Sequence, residues 1–268
     1  MNEHQLTDLK RAVKLLENPS FGAKVADIVG SPIEKSIALL PNSAQQLIGK
    51  ATQKSILAAL KVAVKTMDHH DPAPGSAPPE SSDWWHIAAT IGTGAVGGAF
   101  GLLALTIELP VTTTIMMRSI ADVARSERAD LKSPEIQLQC VSVLAMGGRT
   151  TSDDASEVGY FVAREAMTRA VAEAAAYIAM SGLEKEAAPA LVKLILAVAE
   201  RFSISVTEKA AAQAVPIIGA FGGALINTVF MDHFQDMARG HFTVLRLESE
   251  LGPQVIKDKY AELRRTGA

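Results

Sequence analysis

Apolar positions recur at helical spacing through most of the chain, and no stretch alternates with the period of two that a half-buried strand needs. Leu6, Leu9, Val13 and Leu16 share one helical face, and Asn18-Pro19 stops that helix. Ser31-Pro32-Ile33-Glu34 is a capping box with proline at the first helical position. Pro41 ends that short element, and Ser43-Ala44-Gln45-Gln46 restarts a helix that can run to Met67. Ile87 to Ile107 then carries no charge over about 21 residues, a length that can span a bilayer. Glu108-Leu109-Pro110 is expected to end or kink this helix, with the next one beginning at Val111. Ser133-Pro134-Glu135 opens a further helix that closes at Gly147-Gly148. Thr151 to Glu157 is the start signal of a long alanine-rich helix ending at Gly182, and Glu184 to Phe202 is another, interrupted or started by Pro189. Ser205-Val206-Thr207-Glu208 reads as a capping box, and Ala210 to Met231 is a second uncharged run, with Pro216 inside it.

This pattern predicts an all-α fold, a multi-helix bundle with two Gly-rich apolar central helices. Gly94 and Gly98, Gly97 and Gly101, and Gly219 and Gly223 have the spacing that lets helix backbones approach closely, in lipid or in a tightly packed core. The tetrapeptide Gly-Ala-Phe-Gly occurs at 98–101 and again at 219–222, each time leading to an acidic residue, Glu108 and Asp232. Two similar helical hairpins around a pseudo-twofold would account for the repeat. The chain divides into an N-terminal helical segment (1–67), a Pro-rich linker (68–82) and a helical domain (83–268). The linker, Asp68 to Ser82, holds too many prolines and serines to make a helix or a core.

Composition narrows the function classes. A net charge of −3 supplies no global field for nucleic acid. Aromatics make up only 5 % of residues, which favours close helix packing over a β-sandwich. Cys140 is the single cysteine, so no intramolecular disulfide forms and a reducing compartment is the natural reading. The charged N-terminus lacks the apolar core of a secretory signal. The expected location is cytoplasmic, peripheral on the inner membrane. Glycine and threonine lower the apolarity of the two uncharged runs below that of a leucine-rich span, which favours burial over spanning.

Two groups of residues carry candidate chemistry. The first faces a membrane. The helix from Ser43 to Met67 contains no acidic residue, and Lys50, Lys54, Lys61 and Lys65 fall within roughly 60° of one another. A basic amphipathic helix of this kind can lie on an anionic membrane surface; the same pattern also describes the solvated face of an ordinary core helix. Trp84 and Trp85 precede the first uncharged run and suit either a membrane interface or a buried seam.

The second group is polar: Glu108, Thr112, Thr113, Asp232, His233, Asp236, Arg239 and His241. His233, Asp236 and His241 could supply three ligands to a divalent metal, with Glu108 or Glu248 as a fourth. The competing reading is a buried network, with the two histidines bonded to Glu108 or to the hydroxyls of Thr112 and Thr113, and Arg239 paired with Asp236 or Asp232. There is no P-loop, no HExxH and no nucleophile-elbow motif.

The segments ELPVTTTIMMRSIADVARSE, SPEIQLQCVSVLAMGG, DDASEVGYFVARE and ERFSISVTEKAAAQAVPIIGAFGGALINTVFMDHFQDMARGHFTVLRLE resemble the EcsC protein family of bacteria. The resemblance covers roughly 84 to 260, and residues 1–67 add no motif to it. The family is named from a gene beside an ABC-transporter operon, which implies a link to transport or secretion and no particular activity or catalytic residue. The Gly-rich stretches are also similar to helical hairpins found beside certain membrane-associated GTPases.

Three readings follow. One is a non-enzymatic helical protein at the cytoplasmic membrane face, binding membrane lipid or a membrane protein partner. Another is a metal-dependent hydrolase built on His233, Asp236, His241 and Glu108. The last is a soluble lipid-carrying domain.

Overall fold

Local signals mark several of the helix ends. The computed structural model describes residues 1–17, 20–30, 32–38, 40–67, 102–146, 159–181, 189–213 and 219–267, and these form ten α-helices and no strand. Helix α1 (Glu3–Leu16) opens with a reciprocal capping box between Asn2 and Gln5. Helix α2 (Phe21–Val29) is capped by Ser20 and closes at Gly30, whose φ of 71° is the left-handed conformation that glycine adopts without strain. Helices α3 (Ile33–Ala38) and α4 (Asn42–Met67) follow, then α5 (Leu102–Ser126), α6 (Pro134–Met146), α7 (Gly159–Ser181) and α8 (Pro189–Gln213). Helix α9 (Gly219–Leu251) is the longest at 33 residues, and Gly252 (φ 94°) turns the chain into α10 (Pro253–Thr266).

Two expected boundaries are absent, and both are corrections. Pro110 does not end a helix, because α5 runs through it from Leu102 to Ser126. A proline removes one backbone donor and crowds the preceding turn, but packing decides whether the helix survives that loss. Here Leu109, Met116, Met117 and Ile120 are buried in the core, and α5 packs along both α4 and α9. Likewise Ser205 does not cap a helix start, since α8 is continuous from Pro189 to Gln213. Its fourth member, Glu208, turns to α2 instead. The Gly22 backbone N–H bonds the Glu208 carboxylate, and a Cβ at Gly22 would lie 2.5 Å from Glu208 Oε1.

Helices α8 and α9 form the axis of the bundle. Helix α8 packs against α2, α3, α4, α6, α7 and α9, and α9 packs against α1, α2, α5, α6, α8 and α10. Helix α6 is apolar on every side and is buried from Gln137 to Met146 apart from Gln139. Cys140 lies there, and burial pushes its thiol well above the usual range, so it acts as a small core hydrophobe. The helices of residues 1–67 share one continuous core with the rest. Leu16 on α1 approaches α9 so closely that a Cβ at Gly240 would sit 2.5 Å from its Cγ. At the same seam Arg246 bonds Asp8 of α1 (2.7 Å) and Glu127 just beyond α5 (2.8 Å).

The linker 68–82, Trp84, Trp85 and the glycine pairs at 94–101 lie outside the described residues, as do Pro216 and the side chain of Lys65. Among the described residues no helix is long and apolar enough to cross a membrane.

Candidate functional site

The second Gly-rich run leads into α9, and its first buried polar residue is Asn227. Asn227 Nδ2 donates to Glu108 Oε1 on α5 at 3.0 Å. Lys209 of α8 donates to the same oxygen at 2.7 Å. The lysine is completely buried and its ammonium lies 5.1 Å from the centre of the Phe230 ring. Burial lowers the pKa of Lys209, and the Glu108 carboxylate partly restores it. Three helices thus meet around one buried ion pair. Its charges balance, and the second carboxylate oxygen, Glu108 Oε2, has no hydrogen-bond partner among the described residues.

A second centre lies further along α9. The Tyr160 hydroxyl is 2.8 Å from His241 Nδ1, and Gln139 Oε1 is 3.1 Å from His241 Nε2. An amide oxygen only accepts, so Nε2 carries the proton and Nδ1 accepts from the phenol. Burial, with a smaller push from the Arg164 cation, drives the His241 pKa down to about 3, so the imidazole is neutral at ordinary pH. Burial likewise raises the phenol of Tyr160. Arg164 clamps Glu248 with two bonds of 2.8 and 2.7 Å and borders a surface cleft of about 470 Å³ that Phe161, Glu248 and Lys257 also line.

The remaining expected site residues are dispersed. His233 is buried with its ring against Phe21 of α2 and Phe234. Asp236 lies 3.6 Å from Lys24 across the α2–α9 seam and 3.9 Å from Arg239 one turn along its own helix. Burial raises the carboxyl of Asp236, and the neighbouring Asp232 adds to the shift. Asp232 itself is exposed. Thr112 and Thr113 are buried on α5 beyond Glu108. The set Glu108, His233, Asp236 and His241 is therefore not assembled: no group of three metal-ligating side chains occurs among the described residues. The physical reason is spacing: His233 and His241 stand about 12 Å apart along α9, and they meet different neighbours. His233 and Asp236 face α2, His241 faces α6 and α7, and Glu108 meets an ammonium rather than an imidazole.

Lys209, Asn227, Tyr160 and Gln139 were not singled out from the sequence. One signal was available for Lys209: with Ser205 and Gln213 it forms a polar stripe on an alanine-rich helix, each one turn from the next.

The matching segments can be weighed against known families. The model of the EcsC protein family matches residues 3–247. The chain belongs to the EcsC protein family. The EcsC match begins in α1, so it includes the N-terminal helices that add no motif to the sequence resemblance, and it stops before α10. No curated protein and no solved structure matches the chain.

On the outer side, α4 presents Lys50 and Lys54 to solvent, with Lys61 half-buried. Its opposite side is spent in the core, where Ile48, Ile56 and Leu60 are buried.

Proposed function

We propose that this EcsC protein is a non-enzymatic helical protein that docks on the anionic cytoplasmic face of a membrane, where it meets lipid headgroups or a membrane protein partner. The lysine edge of α4 carries the reading. The helix has no acidic residue, and neither Lys50 nor Lys54 forms a salt bridge among the described residues. Two exposed cations are held on a helix that has no acid of its own. The apolar face of α4 is already committed to α5 and α8, so docking is electrostatic and involves no insertion of this helix. The metal-dependent hydrolase is not carried forward, because its four ligands point to different neighbours.

The test is co-sedimentation with vesicles of phosphatidylcholine, with and without phosphatidylglycerol. Binding should require the anionic lipid and should disappear at high salt. At about 1 kcal/mol per lysine, the Lys50→Ala/Lys54→Ala protein should bind about 30-fold more weakly. Equal binding to neutral vesicles, or none to anionic vesicles at low salt, removes the reading.

A further inference from the structure

Helix α7 turns one face to a cleft rather than to the core. Phe161, Arg164, Glu165, Thr168, Arg169 and Ala172 recur at spacings of three and four, so they form one stripe along the helix. The opposite side, with Ala163, Met167, Val171 and Ala174, is buried. The stripe makes one wall of the open cleft of about 470 Å³, and Pro253, Gln254 and Lys257 of α10 make another. A cleft of that volume can take a small molecule.

Five charged groups line the cleft, and they do not cancel. Glu248 is spent on Arg164, which grips it with both terminal nitrogens. Arg169 is 91 % exposed, and its bond to Glu173, one turn along the same helix, is of the weak, solvated kind. Lys257 is exposed and forms no ion pair among the described residues. Its ammonium and the Arg164 guanidinium each lie 5.9 Å from the centre of the Phe161 ring, so the two cations stand within twice that distance of each other. Glu165, also exposed and without an ion pair among the described residues, is the one acid set against Arg169 and Lys257.

Cations on two walls decide what fits between them. An anion there accepts from α7 and from α10 at once, so its oxygens must point in more than one direction. A tetrahedral phosphate has three such oxygens, whereas a planar carboxylate addresses one side. Phe161, Ala172 and Pro253 add apolar surface for an organic group. We propose that the cleft between α7 and α10 binds a small phosphate monoester, with Lys257 and Arg169 on its phosphate and Phe161 against its organic part. None of the lining residues is on α4, so this site stands or falls separately from the lysine edge.

Calorimetric titration of the full chain with phenyl phosphate at low ionic strength tests the proposal. Saturable binding at a single site is expected, with none for phenol, which lacks the phosphate. Lys257→Ala should weaken binding about tenfold and Arg169→Ala about fivefold, with unchanged urea midpoints because both side chains are exposed. Glu165→Gln should tighten it, since the like charge on the cleft wall is gone. Vesicles of phosphatidic acid, added to the Lys50→Ala/Lys54→Ala protein, identify the source of the phosphate: displacement of phenyl phosphate marks a lipid headgroup, and its retention marks a soluble monoester. No saturation at millimolar phenyl phosphate, equal affinity in Lys257→Ala, or weaker binding in Glu165→Gln overturns the proposal.

Discussion

Helix α9 carries two buried polar centres roughly 21 Å apart along its axis, from Asn227 to His241, and they are built on opposite principles. The first is charged: Lys209 and Asn227 converge on one oxygen of Glu108. The second is neutral: the phenol of Tyr160, both nitrogens of His241 and the amide oxygen of Gln139 form one chain. A neutral chain can be satisfied within a dry core and acts as a positional key between α6, α7 and α9. A buried ion pair has a heavy desolvation penalty and returns it only when the surrounding valences are also filled. The charged centre lies where α5 and α9 emerge from the Gly-rich runs, which offer few large side chains to set register. That is where a fixed charge pair has most to specify.

The largest effect that separates the two centres should come from Lys209→Met. It strands a buried carboxylate with Asn227 as its remaining partner, and chemical denaturation should report a loss of about 3–5 kcal/mol. Next comes acidification. His241 has a folded pKa of about 3 against 6.5 for the free side chain, so between those values the unfolded chain takes up a proton that the folded one refuses. Stability attributable to His241 is therefore full above 6.5 and falls by up to about 1.4 kcal/mol per pH unit below it. Glu208 works in the opposite direction: burial and the nearby Glu34 raise its carboxyl from 4.5 to about 7, so its contribution is present below 4.5 and is lost as pH rises through 7. The two nearly cancel between 4.5 and 6.5, and Glu208→Gln should unmask the His241 slope across that window in pH-dependent unfolding.

Smaller again is Tyr160→Phe, which takes the donor from His241 Nδ1 and should cost about 1–2 kcal/mol in the same assay. Smallest is Lys50→Ala/Lys54→Ala, which should leave stability within about 0.5 kcal/mol while weakening vesicle binding, because these side chains contact solvent rather than the core.

Punctuation was legible in the sequence because it is local. Asn18-Pro19, Ser31-Pro32, Ser133-Pro134 and Pro189 each mark a helix edge, since the residues that cap or break a helix sit beside it. Pro110 and Ser205 carry the same local marks, yet the helices run through them, because packing of α5 and α8 outweighs one lost bond or one unused cap. Glu108 stood out as an acid at the end of an uncharged run. Its partner did not: Lys209 follows Glu208 directly and resembles half of a surface pair, while its contact lies 101 positions away. His241 was visible as a titratable residue, but its neighbours Tyr160 and Gln139 come from positions 81 and 102 residues distant. Spacing on α9 alone could not tell that His233 packs against α2 and His241 against α6 and α7.

The most direct test of the charged centre is a double-mutant cycle of Glu108→Leu and Lys209→Met, read by urea unfolding. Each single variant leaves one buried charge without its counter-ion, whereas the double variant removes both. The double variant is expected to be more stable than either single one, with a coupling of several kcal/mol. Losses that simply add would contradict a Glu108–Lys209 pair at the meeting point of α5, α8 and α9.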